Sequence, residues 1–299
     1  MSQNKSSDDR ESSKIKLPAI FIGYILLIGA LIPTTLSLFP GQLLNQVFAD
    51  TVTGTDGDDN LEGSDGADDI EGKGGNNKID SKGGNDRNTG DKNEGDGDGG
   101  NDNIDSGDGD DINTGDNFDG DGNGGDDVIN SGDGNDFNKG DNINGVGNGG
   151  DDVINSGDGN DENIGDNNNG VGDGGNDVIN SGAGDDFNVG DNRFSSGDGG
   201  NDVIDSGDGN DFNVGDNFEG NGDGGDDVIN SGKGNDFNFG DNLIGSGAGG
   251  DDKINAAQGD DELTGGGGAD KFKCGSGDDT VTDFNEEEGD KATGNCEIP

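Results

Sequence analysis

From Gly54 to Thr282 the chain alternates glycine-rich polar turns with single apolar positions in a fixed nine-residue phrase. Clear copies read GTDGDDNLE (54–62), GSDGADDIE (63–71), GNGGDDVIN (122–130) and GDGGDDVIN (222–230). Each copy places glycines in its first half, an acidic residue at its sixth place and, usually, a branched aliphatic at its eighth. Glycine reaches positive φ without strain, so the first half predicts a tight turn with its carbonyls curled inward. The last three residues are too few for a helix and suit a short strand with one side chain facing in. The sixth-place carboxylate sets a charged oxygen beside those carbonyls, which is the donor set a hard divalent cation prefers. An all-β tandem array with a metal-ligating residue in each unit is the expectation.

The array has a finer grammar. Four plain nonapeptides (54–89) open it, and from Gly72 the unit becomes two nonapeptides plus a heptapeptide, 25 residues in all. Blocks start at Gly72, Gly97, Gly122, Gly147, Gly172, Gly197 and Gly222, and four plain nonapeptides (247–282) close the array. Constant phase over so many blocks is the signature of a solenoid. In the first nonapeptide of each block the eighth residue is apolar: Ile79, Ile104, Ile129, Ile154, Ile179, Ile204 and Ile229. In the second it is Asn88, Asn113, Asn138, Asn163, Asn188, Asn213 and Asn238. If the register holds, one inner wall is an isoleucine stack and the other an asparagine ladder, whose amides hydrogen-bond from coil to coil. The same register turns Phe137, Phe187, Phe212 and Phe237 outward. A one-residue shift would reverse this, but would bury Arg87 and Glu162 in the phenylalanine column. Inward asparagine is therefore expected.

The heptapeptide, as in GDNINGV (140–146) or GDNFEGN (215–221), forms either a third side of the coil or a projecting loop. Phe118, Ile143, Phe218 and Leu243 recur in it and are available to tuck over the outer face. Its aspartates, of which Asp216 is typical, read as turn caps or surface residues, as do the fifth-place Asp and Asn.

Composition sharpens this picture. Only 23% of the 299 residues are hydrophobic and 67 are glycine, too little for a globular core of normal proportions. A chain so acidic would by default be disordered, and the fixed register of aspartate and isoleucine overturns that default. The formal charge of −52 opposes compaction unless cations bind inside the fold. It also excludes nucleic-acid partners, whose phosphates need lysine and arginine. The chain has no histidine or tryptophan and a single tyrosine, so no nucleophile–base constellation points to an enzyme. Residues 119–130 open like an EF-hand, but Asn130 stands where a bidentate glutamate is needed and the glycine-rich flanks cannot supply two helices.

Ahead of the array lies an uncharged run, 17–49, whose most apolar part is Ala19–Ile32. It predicts one N-terminal hydrophobic helix. Residues 1–49 are either a signal peptide cleaved after Val47-Phe48-Ala49 or an uncleaved membrane tether through residues 17–39. Both place the array outside the cytoplasm. Cys274 and Cys296 either pair and pin the C-terminus or remain free thiols.

The nine-residue phrase resembles the RTX, or haemolysin-type, calcium-binding repeat, and GGGGADKFKCGSGDDTVTDFNEEEGD (265–290) is similar to the closing segment of such arrays. The resemblance implies a right-handed parallel β-roll, a β-solenoid, over residues 50–290, with 291–299 as a tail. It also implies calcium between the turns of adjacent coils, with two columns of aspartate ligands. One column would hold Asp127, Asp152, Asp177, Asp202 and Asp227, and another Asp111, Asp136, Asp161, Asp186, Asp211 and Asp236; Asp59, Asp68, Asp86, Asp102, Asp252, Asp261, Asp270 and Asp279 are further ligands. Asn77 is the one sixth place without an aspartate. The extra residues of the heptapeptide are expected to weaken ligation beside it by separating the turns. The function implied is an exported calcium-ion-binding protein with a structural role at the cell surface or in a matrix. The alternative is a calcium-rigidified binding module recognising a partner, a glycan, a mineral or ice.

Overall fold

A computed structural model describes residues 50–93, 97–118, 122–143, 147–168, 172–191, 197–245 and 247–299. The expected hydrophobic helix and signal peptide or tether, all within 1–49, lie outside the described residues. The described residues form a parallel β-solenoid and contain no helix.

Two sheets of eleven parallel strands make its main walls. One includes β8 (Val128–Asn130), β10 (Val153–Asn155) and β12 (Val178–Asn180), where Ile129, Ile154 and Ile179 pair in register. The other includes β9 (Phe137–Ile143), β11 (Glu162–Asn168) and β13 (Phe187–Val189), where Asn138, Asn163 and Asn188 pair. Equal coil length puts like on like: partners lie 25 residues apart through the middle and 18 apart towards both ends, with a last step of 20 from Lys271 to Lys291.

The isoleucine wall runs from Leu61 through Ile254 to Phe272 and is almost wholly buried. Burying each isoleucine contributes about 1.5–3 kcal/mol. The asparagine ladder faces inward as expected. Asn138 Nδ2 donates to Asn163 Oδ1 of the next coil (2.9 Å) and to Ser131 Oγ within its own coil (2.9 Å), so both amide hydrogens are used. A buried amide row is tolerated because it is paired at strand spacing. Arg87 stays exposed and grips Asp69 with two hydrogen bonds, 2.8 and 2.9 Å.

The heptapeptide does not separate the turns: in four coils its first residues prolong the second wall, and in two later coils it forms a separate short sheet. β5 (Arg87–Asn93), β7 (Ile112–Phe118), β9 and β11 run on into it, keeping Asp91, Asp116, Asp141 and Asp166 in register. Further along, β16 (Glu219–Gly220) pairs with β19 (Ile244–Gly245) as a separate two-stranded sheet. Phe137, Phe187, Phe212 and Phe237 lie on the outer face but are only half-exposed. Phe218, 2% exposed, packs on Phe187 and Phe212 with ring centroids 5.6 and 6.2 Å away. Val189, Val214 and Phe239, one residue past the asparagines, are buried too, and Phe239 packs on Phe212 with ring centroids 5.4 Å apart. Of the other residues expected to tuck in, Leu243 is half-buried, while the side chains of Phe118 and Ile143 lie outside the described residues.

At the C-terminal end Cys274 and Cys296 form a disulfide. β24 (Lys291–Thr293) pairs with β22 (Lys271–Lys273), so residues beyond Asp290 add a last strand.

Candidate metal centres

The sixth-place aspartates sit just before the strands, where the glycine turn hands the chain into a wall. All of them are buried except Asp59, which is half-exposed. Each except Asp59 accepts, through Oδ1, the backbone N–H of its counterpart one coil back. Asp102 N–H donates to Asp127 (2.6 Å), Asp127 N–H to Asp152 (2.7 Å), and on the opposite corner Asp136 N–H to Asp161 (2.8 Å). This ladder consumes one carboxylate oxygen. The other, Oδ2, is buried without a partner at Asp102, Asp127, Asp152, Asp177, Asp202, Asp227 and Asp252, and likewise at Asp86, Asp111, Asp136, Asp161, Asp186, Asp211, Asp236, Asp261 and Asp279. A buried oxygen with no donor is costly, so so many in two rows mark missing positive charge.

At the N-terminal end hydrogen bonds take the place of that charge. Asp68 accepts from Asp50 N–H (2.9 Å) and Ser64 N–H (2.6 Å), and Asp59 accepts the hydroxyl of Thr55 (2.8 Å). Neither carries an orphaned oxygen. Asp270 accepts from Asp252 N–H (2.9 Å).

The two columns differ. Four groups of three carboxylates have oxygens within 4.8 Å of one another: Asp91–Asp102–Asp116, Asp116–Asp127–Asp141, Asp141–Asp152–Asp166 and Asp166–Asp177–Asp191. Every group takes one sixth-place aspartate of a first nonapeptide and two heptapeptide aspartates. Among the described residues, the second-nonapeptide column, Asp111 to Asp236, contributes to no such group. The heptapeptide aspartates are thus not the turn caps or surface residues expected from the sequence: Asp116, Asp141 and Asp166 are at most 1% exposed. A signal for them existed, since Gly-Asp opens every heptapeptide.

Glycine is required for this approach. A Cβ on Gly140, the first residue of a heptapeptide, would fall on the carboxylate of Asp152, and one on Gly149 would fall on that of Asp166.

Electrostatics agree with an unmet need for cations. Burial, then the neighbouring carboxylates Asp152, Asp166 and Asp116, hold Asp141 well above the ordinary carboxylate range. Asp152 is raised by burial and then by Asp177, Asp127 and Asp166. Burial pushes Asp102 up to about 8 despite the hydrogen bond from Asn77. On the other corner burial raises Asp161 to about 6 and Asp111 to about 8. Neighbouring carboxylates that all resist ionisation are what a divalent cation relieves.

The donors also suit one kind of metal. All are oxygens, the cysteines are tied in a disulfide and the chain has no histidine. Oxygens ligating one calcium ion at 2.3–2.6 Å can stand up to about 5 Å apart, which the triads satisfy. The profile of the RTX calcium-binding nonapeptide repeat (4 copies) matches residues 48–87, 121–137, 146–162, 196–216, 221–244 and 246–281, more than half of the chain. The chain belongs to this family. The RTX matches span both plain ends of the array and part of its 25-residue coils. No curated protein sequence matches the chain.

Proposed function

We propose that this RTX array is an exported rod that calcium folds and holds together, serving a structural role at the cell surface or in a matrix. The buried sixth-place aspartates with a free oxygen act as calcium ligands, together with inward glycine carbonyls. Asp59, Asp68 and Asp270 are weaker members at the ends. The observation that carries this reading is the double row of buried carboxylate oxygens without a hydrogen-bond donor. Without cations the rows repel, and the chain stays loose; with them, successive coils are drawn together. Extracellular calcium modules work at roughly 10⁻⁴–10⁻³ M, so folding would wait until the chain has left the cytoplasm. Residues 1–49 supply the route, as a cleaved signal peptide or a retained tether.

Circular dichroism of the full chain tests this. Calcium should convert coil to strand and a chelator should reverse it. Magnesium should do much less, because it surrenders its octahedral water reluctantly. Strand content unmoved by chelation would defeat the proposal. The adhesive alternative has less to stand on, because Phe187 and Phe212 pack against Phe218 and do not stand free as a binding stripe.

A further inference from the structure

The heptapeptide aspartates follow a rule of their own. Each gives one oxygen to the backbone N–H of a glycine nine residues on: Asp116 Oδ2 to Gly125 (2.7 Å), Asp141 Oδ2 to Gly150 (2.8 Å) and Asp166 Oδ2 to Gly175 (2.7 Å). The remaining oxygen of each, Oδ1, is buried and unpartnered, as is Oδ1 of Asp191. These atoms lie on the same corner as the unpartnered Oδ2 of Asp102, Asp127, Asp152 and Asp177. Consecutive triads share Asp116, Asp141 and Asp166, so from Asp91 to Asp191 the corner is one continuous line of oxygens and not a set of separate pockets.

The line also has ends. At Asn77, the sixth place that lacks an aspartate, the side-chain amide stands where later coils hold an aspartate Oδ2. Its Nδ2 donates to Asp91 Oδ1 (2.9 Å), Gly75 O (3.0 Å) and Gly90 O (3.3 Å). Asp91, whose Oδ2 accepts Gly100 N–H (2.9 Å), is therefore satisfied within the chain. Past the last triad, which ends at Asp191, Asp241 accepts Gly250 N–H through Oδ1 (2.8 Å) and Gly267 N–H through Oδ2 (2.7 Å). Neither Asp91 nor Asp241 carries an orphaned oxygen, whereas Asp116, Asp141, Asp166, Asp191 and Asp216 between them all do. At Asn77, where the chain supplies a donor, the line stops. Where it does not, something positive has to fill the gap between acceptors.

We propose that this corner, from Asp91 to Asp191, holds a single file of divalent cations, in which the heptapeptide aspartates bridge neighbouring ions and the side-chain N–H of Asn77 is a built-in stop at its start. The inference rests on the calcium reading above and adds a ligand set outside the nine-residue phrase. Charge balance favours it. Each coil brings two carboxylates to this corner, one from the heptapeptide and one from the first nonapeptide, and one divalent ion per coil neutralises them. The opposite corner brings one.

The test is the number of calcium ions bound by the full chain at saturation, counted by native mass spectrometry. Asp141→Asn removes a ligand shared by two triads, and the count should fall by about two. Asn77→Asp replaces a stop with a carboxylate, and the count should rise by about one. A gain cannot arise from misfolding, so the second variant guards the first. Exposed Asp158→Asn should leave the count unchanged. If either Asp141→Asn or Asn77→Asp keeps the wild-type count while the chain still takes up calcium and folds, the file is refuted and the calcium-dependent rod survives. A wild-type chain that binds no calcium removes both.

Discussion

The backbone N–H of Asp127 donates to Oδ1 of Asp152, one coil along, at 2.7 Å, while Oδ2 of Asp152 is left buried with no partner. One carboxylate thus does two jobs: it fastens coil to coil through the backbone and presents a free charge to the space between coils. The first job is met inside the protein. The second requires a cation or a proton, and this governs how the molecule should respond to pH.

In the absence of calcium the fold should be favoured by acid. Burial raises Asp102 and Asp111 to about 8 and Asp136 and Asp236 to about 7, from an ordinary 3.8. Carboxyls raised by folding take up protons as the chain folds. Stability of the metal-free form is therefore greatest below the ordinary value and declines as pH climbs from about 4 towards 8. Dichroism of the chelated full chain across that range should show strand signal fading upward. With saturating calcium the slope should reverse, since protons then compete for the ligands. A metal-free chain with equal strand content at pH 4 and pH 8 would contradict the burial of these groups.

Breaking the amide ladder should cost more than its exposed counterpart. Asn163 donates to Asn188 Oδ1 (3.0 Å) and Ser156 Oγ (3.0 Å) and accepts from Asn138 (2.9 Å). Asn163→Ala leaves several buried groups unpaired, at about 1–3 kcal/mol each. Asn160, exposed on the turn before it, should tolerate alanine within about 0.5 kcal/mol. Urea denaturation at saturating calcium compares the two.

Glycines should divide sharply by position. Gly140→Ala drives a methyl into the Asp152 carboxylate and should weaken calcium affinity and the calcium-induced strand signal. Gly57, where an added Cβ meets nothing within 4 Å, should accept alanine silently. Calcium titration of both variants by dichroism decides the matter.

Reduction of Cys274–Cys296 should loosen one end of the rod only. The bond closes a loop with a sequence separation of 22. Loop-closure entropy makes that worth about 3 kcal/mol in the chain-entropy account. Hydrogen exchange should accelerate at β24 and at Val281, whose N–H donates to Glu297 O (2.9 Å), and stay unchanged at Ile154 and Asn163. Acceleration throughout the array would mean that the bond supports the whole fold.

Much of this molecule is legible in its repeats. The isoleucine wall and the inward asparagines follow from the eighth place of each nonapeptide, because a strand of period two can bury only one of two adjacent positions. The balance between asparagine and phenylalanine was tipped by Arg87, whose charge has no place inside and which lies exposed against Asp69. The burial of Val189, Val214 and Phe239 was not legible, since alternation assigns those residues to the outside until another segment covers them. The same holds for Asp116 and Asp141, whose role depends on where seven extra residues go.

Taken alone, the sequence determined the parallel coils, their register and the sixth-place aspartate columns. Equal coil length stacks identical side chains, and a constant period is a local property of the chain. Only the tertiary structure decided that the first residues of the heptapeptide prolong the second wall, bring its aspartates beside Asp127 and Asp152, and set Phe218 over Phe187 and Phe212. Those contacts join residues that no periodicity links. They arise from the packing of one coil edge against the next, where excess apolar surface and excess charge each had to find a partner.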